Sequence, residues 1–324
     1  MRVLYIGGTG EISFDCIHES VRHGHEITVF NRGHHNAGLP PECRLMTGAV
    51  EDDAAYGRLA KANFDVVCQF RLFAPAALKR DLALFAGHCG QYVFISTASA
   101  YRKPVRDLPI TEATPLGNPY WDYSRAKAEM EALLRAQDRL PYTVVRPSHT
   151  YRARMPTPMS DNVEVSRLLR GKPVVLHGDG ESLWTVTHAE DFAAPFARLL
   201  GERRALGEAF HITSDRAWSW NEIFEAIAAA LGVGASLVHV STDTLVRYRP
   251  EWAGPLLGDK SPSVTFDNSK VKAVVGDFDC AIDPWRGMRM VAERYPQAAE
   301  PFDPALDALI DRIVAEQERL GTGE

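Results

Sequence analysis

Tyr123 and Lys127 stand four residues apart in the stretch Tyr120-Trp121-Asp122-Tyr123-Ser124-Arg125-Ala126-Lys127, so on a helix both side chains leave from one face. An ammonium beside a phenol favours phenolate and lets tyrosine exchange a proton with a hydroxyl near neutral pH. The same spacing is common on ordinary helix surfaces, so the pair alone does not establish chemistry. Upstream, Tyr92-Val93-Phe94-Ile95-Ser96-Thr97 is an apolar run that ends in hydroxyls. Thr97 is placed either to hold a substrate hydroxyl against Tyr123 or to satisfy the backbone of its own turn.

A second constellation opens the chain. Val3-Leu4-Tyr5-Ile6 runs into Gly7-Gly8-Thr9-Gly10-Glu11-Ile12-Ser13, which puts glycines where a buried strand turns sharply into a helix. Backbone amides and a helix N-terminus can there approach a pyrophosphate, with Gly7, Gly10, Glu11 and Ile12 as the contacts. Ser13 occupies the place of the usual third glycine and is small enough for the helix to pack closely on the strand. Past the second apolar run comes Phe30-Asn31-Arg32-Gly33. A carboxylate at this place binds adenosine ribose hydroxyls in NAD-preferring folds; neutral Asn31 and cationic Arg32 lean toward the 2′-phosphate of NADP, unless Arg32 is simply an exposed turn residue.

Parallel strands covered by helices are what would position these groups. Short apolar runs at 3–6, 27–30, 65–69, 92–96 and 143–146 alternate with helical patterns after the glycine turn, at 76–87 and at 123–137, the rhythm of a doubly wound α/β sheet. After Pro147 the texture shifts to shorter units with Gly and Pro, at 152–158, Gly178-Asp179-Gly180 and 250–262, loops suited to contacting substrate. The expected organisation is a dinucleotide-binding domain over 1–150, with segments returning near 180–200, and a smaller α/β substrate domain mainly over 151–324. Residues 304–320 have the pattern of an amphipathic terminal helix with a packing role.

The bulk numbers narrow the partners. A chain of 324 residues, 45% hydrophobic and 24% charged, can bury a large core. Its formal charge of -6 supplies no basic field for a polyanion, so no nucleic-acid partner is expected. The five cysteines, Cys16, Cys43, Cys68, Cys89 and Cys280, show neither metal nor disulfide spacing, which suits a reducing compartment and implies no metal. The first apolar run reaches glycine too early for a signal peptide, and no later run approaches a membrane span; the expected location is cytoplasmic.

Taken together the sequence resembles the extended short-chain dehydrogenase/reductase superfamily, in particular its NAD-dependent epimerase/dehydratase branch. The ordered landmarks are the glycine turn, Ser96-Thr97-Ala98-Ser99-Ala100-Tyr101, Tyr123 to Lys127, Val145-Arg146-Pro147, Gly178-Asp179-Gly180 and His188-Ala189-Glu190-Asp191. The resemblance implies a Rossmann domain, a tightly held NAD or NADP, a sugar-like substrate, and often a homodimer formed through helices such as the one bearing Tyr123. It makes Tyr123 the acid/base, Lys127 its pKa modifier and ribose anchor, and Thr97 the hydroxyl that orients substrate. Phe70 and Arg71 would lie beside the cofactor.

Four positions depart from that pattern. Ala98 and Ser99 replace the acidic pair of 4,6-dehydratases, which disfavours dehydration and leaves Ser99 as a substrate contact. Trp184 stands where sugar-nucleotide enzymes commonly carry an arginine for the diphosphate, offering a stacking surface or simply core packing. His149 replaces a substrate-contacting asparagine, or is a structurally satisfied loop histidine, and Ala49 replaces an aspartate that contacts adenine. Arg286 is a candidate phosphate contact. The expected function is thus an NAD(P)-dependent epimerase or oxidoreductase at a secondary hydroxyl of a sugar-like or nucleoside-linked substrate. The alternatives are a net dehydrogenase or reductase of a small polyol and, because the fold also resembles plant plastid stem-loop RNA-binding relatives, a cofactor-regulated RNA-binding protein.

Overall fold

In the computed structural model of the chain, which describes residues 1–294 and 303–322, the opening apolar run becomes strand β1 (Arg2–Ile6). Further strands are β2 (Glu26–Asn31), β3 (Arg44–Thr47), β4 (Phe64–Gln69), β5 (Cys89–Ile95), β6 (Tyr142–Pro147) and a seventh, Ala209–Ile212. They form one seven-stranded sheet in the order Ala209–Ile212, β6, β5, β4, β1, β2, β3, with every neighbouring pair parallel. Strand order reverses between β1 and β4, and at such a point the carboxyl ends of the strands open a crevice.

Residues Val3 to Ile6 are completely buried because helices cover both faces, which is why β1 reads as an unbroken apolar run rather than an alternation. Val3, Tyr5 and Val29 meet Ile17, Phe192 and Phe196 of the helices Ser13–Arg22 and Ala189–Leu199. Leu4, Ile6 and Phe30 share the opposite layer with Leu78, Phe85, Met130 and Leu134 of the helices Pro75–Phe85 and Asp122–Arg135. The chain thus carries the doubly wound Rossmann architecture expected of it.

Beyond β6 the chain builds three two-stranded sheets: His149–Tyr151 with Val186–His188, Leu183–Trp184 with Trp218–Ser219, and Val174–His177 with Leu237–Val240. Trp184, Trp220, Phe224 and Met288 join these pieces in a further core. The helix Pro304–Thr322 buries Leu306, Ile310, Ile313 and Val314 against Trp252 and Leu256, the packing role its pattern predicts.

Three features differ from the sequence expectations. The strands Arg44–Thr47 and Ala209–Ile212 were not legible: the first is a largely exposed edge strand without apolar continuity, and each has only four residues. The 250–262 segment is not an open loop. It folds as successive helical turns, Pro250–Trp252, Ala253–Pro255 and Leu256–Lys260, because Trp252 and Leu256 are buried and Pro250 falls in a first turn, where no amide donor is needed. Among the described residues no helix is long and apolar enough to cross a membrane, and all five cysteines are free.

Candidate active site

The glycine turn lies at the carboxyl end of β1, at the edge of the crevice. Gly7 has φ +85°, and a Cβ there would stand 2.3 Å from Arg71 Cγ. A Cβ on Gly8 would fall 2.5 Å from Ile17 Cδ1 and 2.8 Å from Val29 Cγ1, so this glycine is the one that lets the helix sit down on the sheet. Ser13 does more than stay small: its Oγ donates to the Gly7 carbonyl at 2.8 Å and accepts from the Gly10 amide at 3.0 Å, latching the turn.

Gly7, Gly10, Arg32, Arg71 and Arg154 line an adjoining groove of about 410 Å³. Backbone without side chains, a following helix and three guanidinium groups are the chemistry that receives a dinucleotide pyrophosphate, and the residues present fit such a group. Asn31 also lines the groove, but its side chain shapes the turn: Oδ1 accepts from the Gly33 amide at 2.7 Å and Nδ2 donates to Asn36 Oδ1 at 2.7 Å.

Two expected cofactor contacts are oriented differently from their neighbours. Glu11 Oε2 accepts from the amides of Arg152 and Ala153 at 3.0 and 2.8 Å, fastening the glycine turn to the loop after His149–Tyr151. Phe70 stacks on Tyr5 at 5.9 Å and meets Phe196 at 5.8 Å, so it supports the crevice from the core while Arg71 lines it. Ile12 lines the neighbouring cavity.

That cavity, about 200 Å³, brings Thr97, Ser99, Tyr123, His149 and Trp184 together. Thr97 follows β5, and Tyr123 sits in the first turn of the helix Asp122–Arg135, with its ring 5.1 Å from that of Trp121. The Thr97 hydroxyl lines the same cavity as Tyr123. It also lies 3.0 Å from Ser99 Oγ, which is 2.7 Å from buried Ser124 Oγ. Lys127 Nζ lies 5.7 Å from the Tyr123 ring centroid and donates to the Ile95 carbonyl at 2.6 Å.

Electrostatics correct one expectation. Burial pushes the Tyr123 phenol up to about 12, with the Thr97 hydroxyl pulling the other way and the Asp259 charge adding to the rise. Burial likewise pushes Lys127 down to about 7, against the pull of Glu131. The cost of desolvating each charged form therefore outweighs the stabilisation of phenolate by ammonium. Tyr123 is a protonated phenol poised against a hydroxyl, and Lys127 titrates near neutrality.

A charged pair that the sequence did not expose holds this geometry. Glu131, fully buried one turn beyond Lys127, accepts from Ser96 Oγ at 2.6 Å and from Arg146 Nε and Nη2 at 3.0 and 2.6 Å. It thereby ties the Tyr123 helix to the ends of β5 and β6. Asn118, also fully buried, donates from Nδ2 to the Ser99 carbonyl at 2.7 Å and to the Gly258 carbonyl. Lys103, Asp259 and Lys260 complete the cavity wall; Lys103 lies more than 150 positions from the adjacent Asp259 and Lys260, so no spacing signal joins them.

Trp184 packs in the core and also faces the cavity. It is buried and stacked on Trp220 at 5.4 Å, yet it lines the cavity and donates from Nε1 to His149 Nδ1 at 3.3 Å. Indole nitrogen only donates, so the His149 proton resides on Nε2. Burial, with Lys260 adding to it, pushes His149 down to about 3, so the ring is neutral. Arg286 does not join the cavity. The helix Pro284–Arg294 buries Met288 and Val291, and the Arg286 charge acts instead on Asp191 and His188.

A family model for the NAD dependent epimerase/dehydratase family matches residues 3–213. The chain belongs to this family. Its extent runs from the first residues of β1 just past the seventh sheet strand, so it takes in the glycine turn, Thr97, Tyr123, Lys127, His149 and Trp184. The family assignment sets the cofactor class as NAD(P) and the chain among enzymes of the extended short-chain dehydrogenase type.

Relatives of this family member differ in substrate. It is 28% identical over 270 residues to a 2'-dehydrokanamycin reductase of Streptomyces kanamyceticus, covering 80% of this chain and 72% of the relative. It is 25% identical over 245 residues to the chloroplast stem-loop binding protein of 41 kDa b of Arabidopsis thaliana, covering 71% and 63%. Among solved structures, the UDP-glucose 4-epimerase of Thermotoga maritima with UDP-glucose superposes with a TM-score of 0.74 at 21% identity, over 93% of this chain and all of that one.

Proposed function

We propose that this family member is an NAD(P)-dependent epimerase or oxidoreductase acting at a secondary hydroxyl of a sugar-like substrate, with Tyr123 as acid/base, Thr97 as the orienting hydroxyl and Lys127 as the adjoining ammonium. The observation that carries the reading is the convergence of Thr97, Ser99 and Tyr123 on one cavity beside the glycine turn. A nicotinamide bound in the groove supplies the hydride acceptor and donor. In the reductive direction the Tyr123 phenol would give its proton to the substrate oxygen as hydride reaches the carbon, and in the reverse direction the resulting phenolate would take the hydroxyl proton back, while Thr97 and Ser99 hold the oxygen in line. Lys127, anchored to Ile95, carries compensating positive charge as phenolate character develops.

Ala98 and Ser99 in place of an acidic pair argue against dehydration. The UDP-glucose epimerase and reductase relatives support a sugar-linked substrate. The guanidinium groups of Arg32, Arg71 and Arg154 in the groove favour NADP over NAD. Residues 1–150 and the returning segments would hold the cofactor, residues 151–324 mainly the substrate, and the helix Asp122–Arg135 the homodimer contact.

The test is Tyr123→Phe. Turnover on a sugar panel should fall by about 10²–10⁴-fold, with NADP and NAD affinities, measured by calorimetry, unchanged and NADP the tighter. Full activity in the variant removes Tyr123 from the mechanism. Salt-sensitive RNA binding without turnover would favour the binding-protein reading suggested by the chloroplast relative, which the formal charge of -6 argues against.

A further inference from the structure

Lys103 is only 3% exposed and lines the Tyr123 cavity, yet among the described residues its ammonium makes no hydrogen bond and no ion pair. A buried ammonium with no hydrogen-bond partner, opposed only by the charge of Asp259, carries a desolvation penalty, and an unsatisfied buried group of this kind calls for a bound partner. Lys260, also buried, lines the same wall. Its Nζ stands 3.4 Å from Asp259 Oδ2, 5.6 Å from the Trp121 ring centroid and 5.9 Å from that of Trp184. Two ammonium groups against one carboxylate leave the wall one positive charge in excess, between indole faces where the low dielectric strengthens attraction for an anion.

We infer that the substrate carries an oxyanion, a carboxylate or a phosphate ester, next to its reacting hydroxyl, and that Lys103 and Lys260 receive it. The inference rests on the function proposed above for Tyr123 and names its substrate class. Lys103, Lys260, Thr97 and Tyr123 line one cavity of about 200 Å³, so the anion subsite adjoins the reacting oxygen and does not sit at the far end of the molecule. Burial lowers the Lys103 pKa, Asp259 opposing this and Lys260 adding to it; an incoming oxyanion relieves that penalty.

The fold fixes this wall firmly. Lys260 ends a π-helical turn, Leu256–Lys260, a form enriched at functional sites. Gly258 lets that turn approach closely: a Cβ there would stand 3.2 Å from Asn118 Oδ1, Trp121 Cβ and Tyr120 Cβ. Where the family's sugar-nucleotide enzymes carry an arginine, this chain has Trp184, and the positive charge arrives from two other segments. A substrate rich in ammonium groups would be repelled.

The experiment titrates the full chain with D-glucuronate, glucose 6-phosphate and glucose at constant ionic strength, followed by calorimetry and by the fluorescence of Trp121 and Trp184. At least one anionic sugar should bind about tenfold or more tightly than glucose, and which one binds separates carboxylate from phosphate recognition. Lys103→Met and Lys260→Met should each abolish the preference, and Asp259→Asn should strengthen it. Lys103→Met should also melt higher than the parent, since it removes an unpaired buried charge. If Lys103→Met does not fold, Lys260→Met and Asp259→Asn decide.

Glucose binding as tightly as both anions, no binding of either anion at millimolar concentration, or a preference retained in the methionine variants overturns the inference. Tyr123→Phe should leave anion binding intact. Its full activity would therefore sink the catalytic reading alone, and a lost anion preference beside Tyr123-dependent turnover would sink this one alone.

Discussion

Lys127 Nζ donates to the Ile95 carbonyl at 2.6 Å, tying the helix that bears Tyr123 to the last residue of the strand that delivers Thr97. One side chain thus serves both the register of the site and its charge.

Lys127 sits at about 7 against an ordinary 10.5, so between those values the unfolded chain binds the proton that the folded chain has released. Stability should rise with pH across that window, by about 1.4 kcal/mol per unit at most from this group. Lys127→Met should lose that slope in urea titrations across the window and lower turnover by about 100-fold. An unchanged slope would mean that Lys127 is not the group that titrates.

Arg146→Met should be far more damaging to the fold than its distance from the substrate suggests. It leaves Glu131, fully buried, without its bidentate partner, a change that costs about 3–5 kcal/mol. Adding Glu131→Gln should restore part of the loss, because the buried charge then left to Arg135 alone, at 3.3 Å, goes with it. Equal stability of the single and double variants would show that the two residues are not coupled.

Gly8→Ala and Gly10→Ala should separate fold from function. At Gly8 the new methyl meets Ile17 and Val29 well inside contact distance, and overpacking of that kind costs about 1–3 kcal/mol. At Gly10 it meets only Ser13 Oγ at 3.5 Å and the Gly7 carbonyl at 4.0 Å, so Tm should hold while NADP and NAD affinity falls. Thermal melts and cofactor titrations of the two variants check this.

Acid should destabilise the fold through its buried histidines. Burial pushes His149 to about 3 and His177 and His188 to about 4, from an ordinary 6.5. Their neutral forms are favoured by folding, so stability is full above 6.5 and falls as pH drops toward 4, by about 1.4 kcal/mol per unit for each histidine. His177→Asn should flatten the decline measured by urea denaturation; an identical decline would exclude that ring as a contributor.

By itself the sequence determined the crevice side of this protein. Val3 to Ile6, the glycine turn, the hydroxyl run ending at Thr97 and the four-residue step from Tyr123 to Lys127 are local patterns, and local sterics and periodicity oblige them to form a strand, a tight turn and a helix face. Only the tertiary structure decided the substrate side. Lys103, Asp259 and Lys260 meet at one cavity wall, where Gly258 lets its turn approach Asn118 and Trp121, and Glu131 finds Arg146 through the stacking of a helix over two strands. It also set the Tyr123 phenol above its ordinary value rather than below it, since desolvation depends on how much protein surrounds a group, and no spacing along a chain records that.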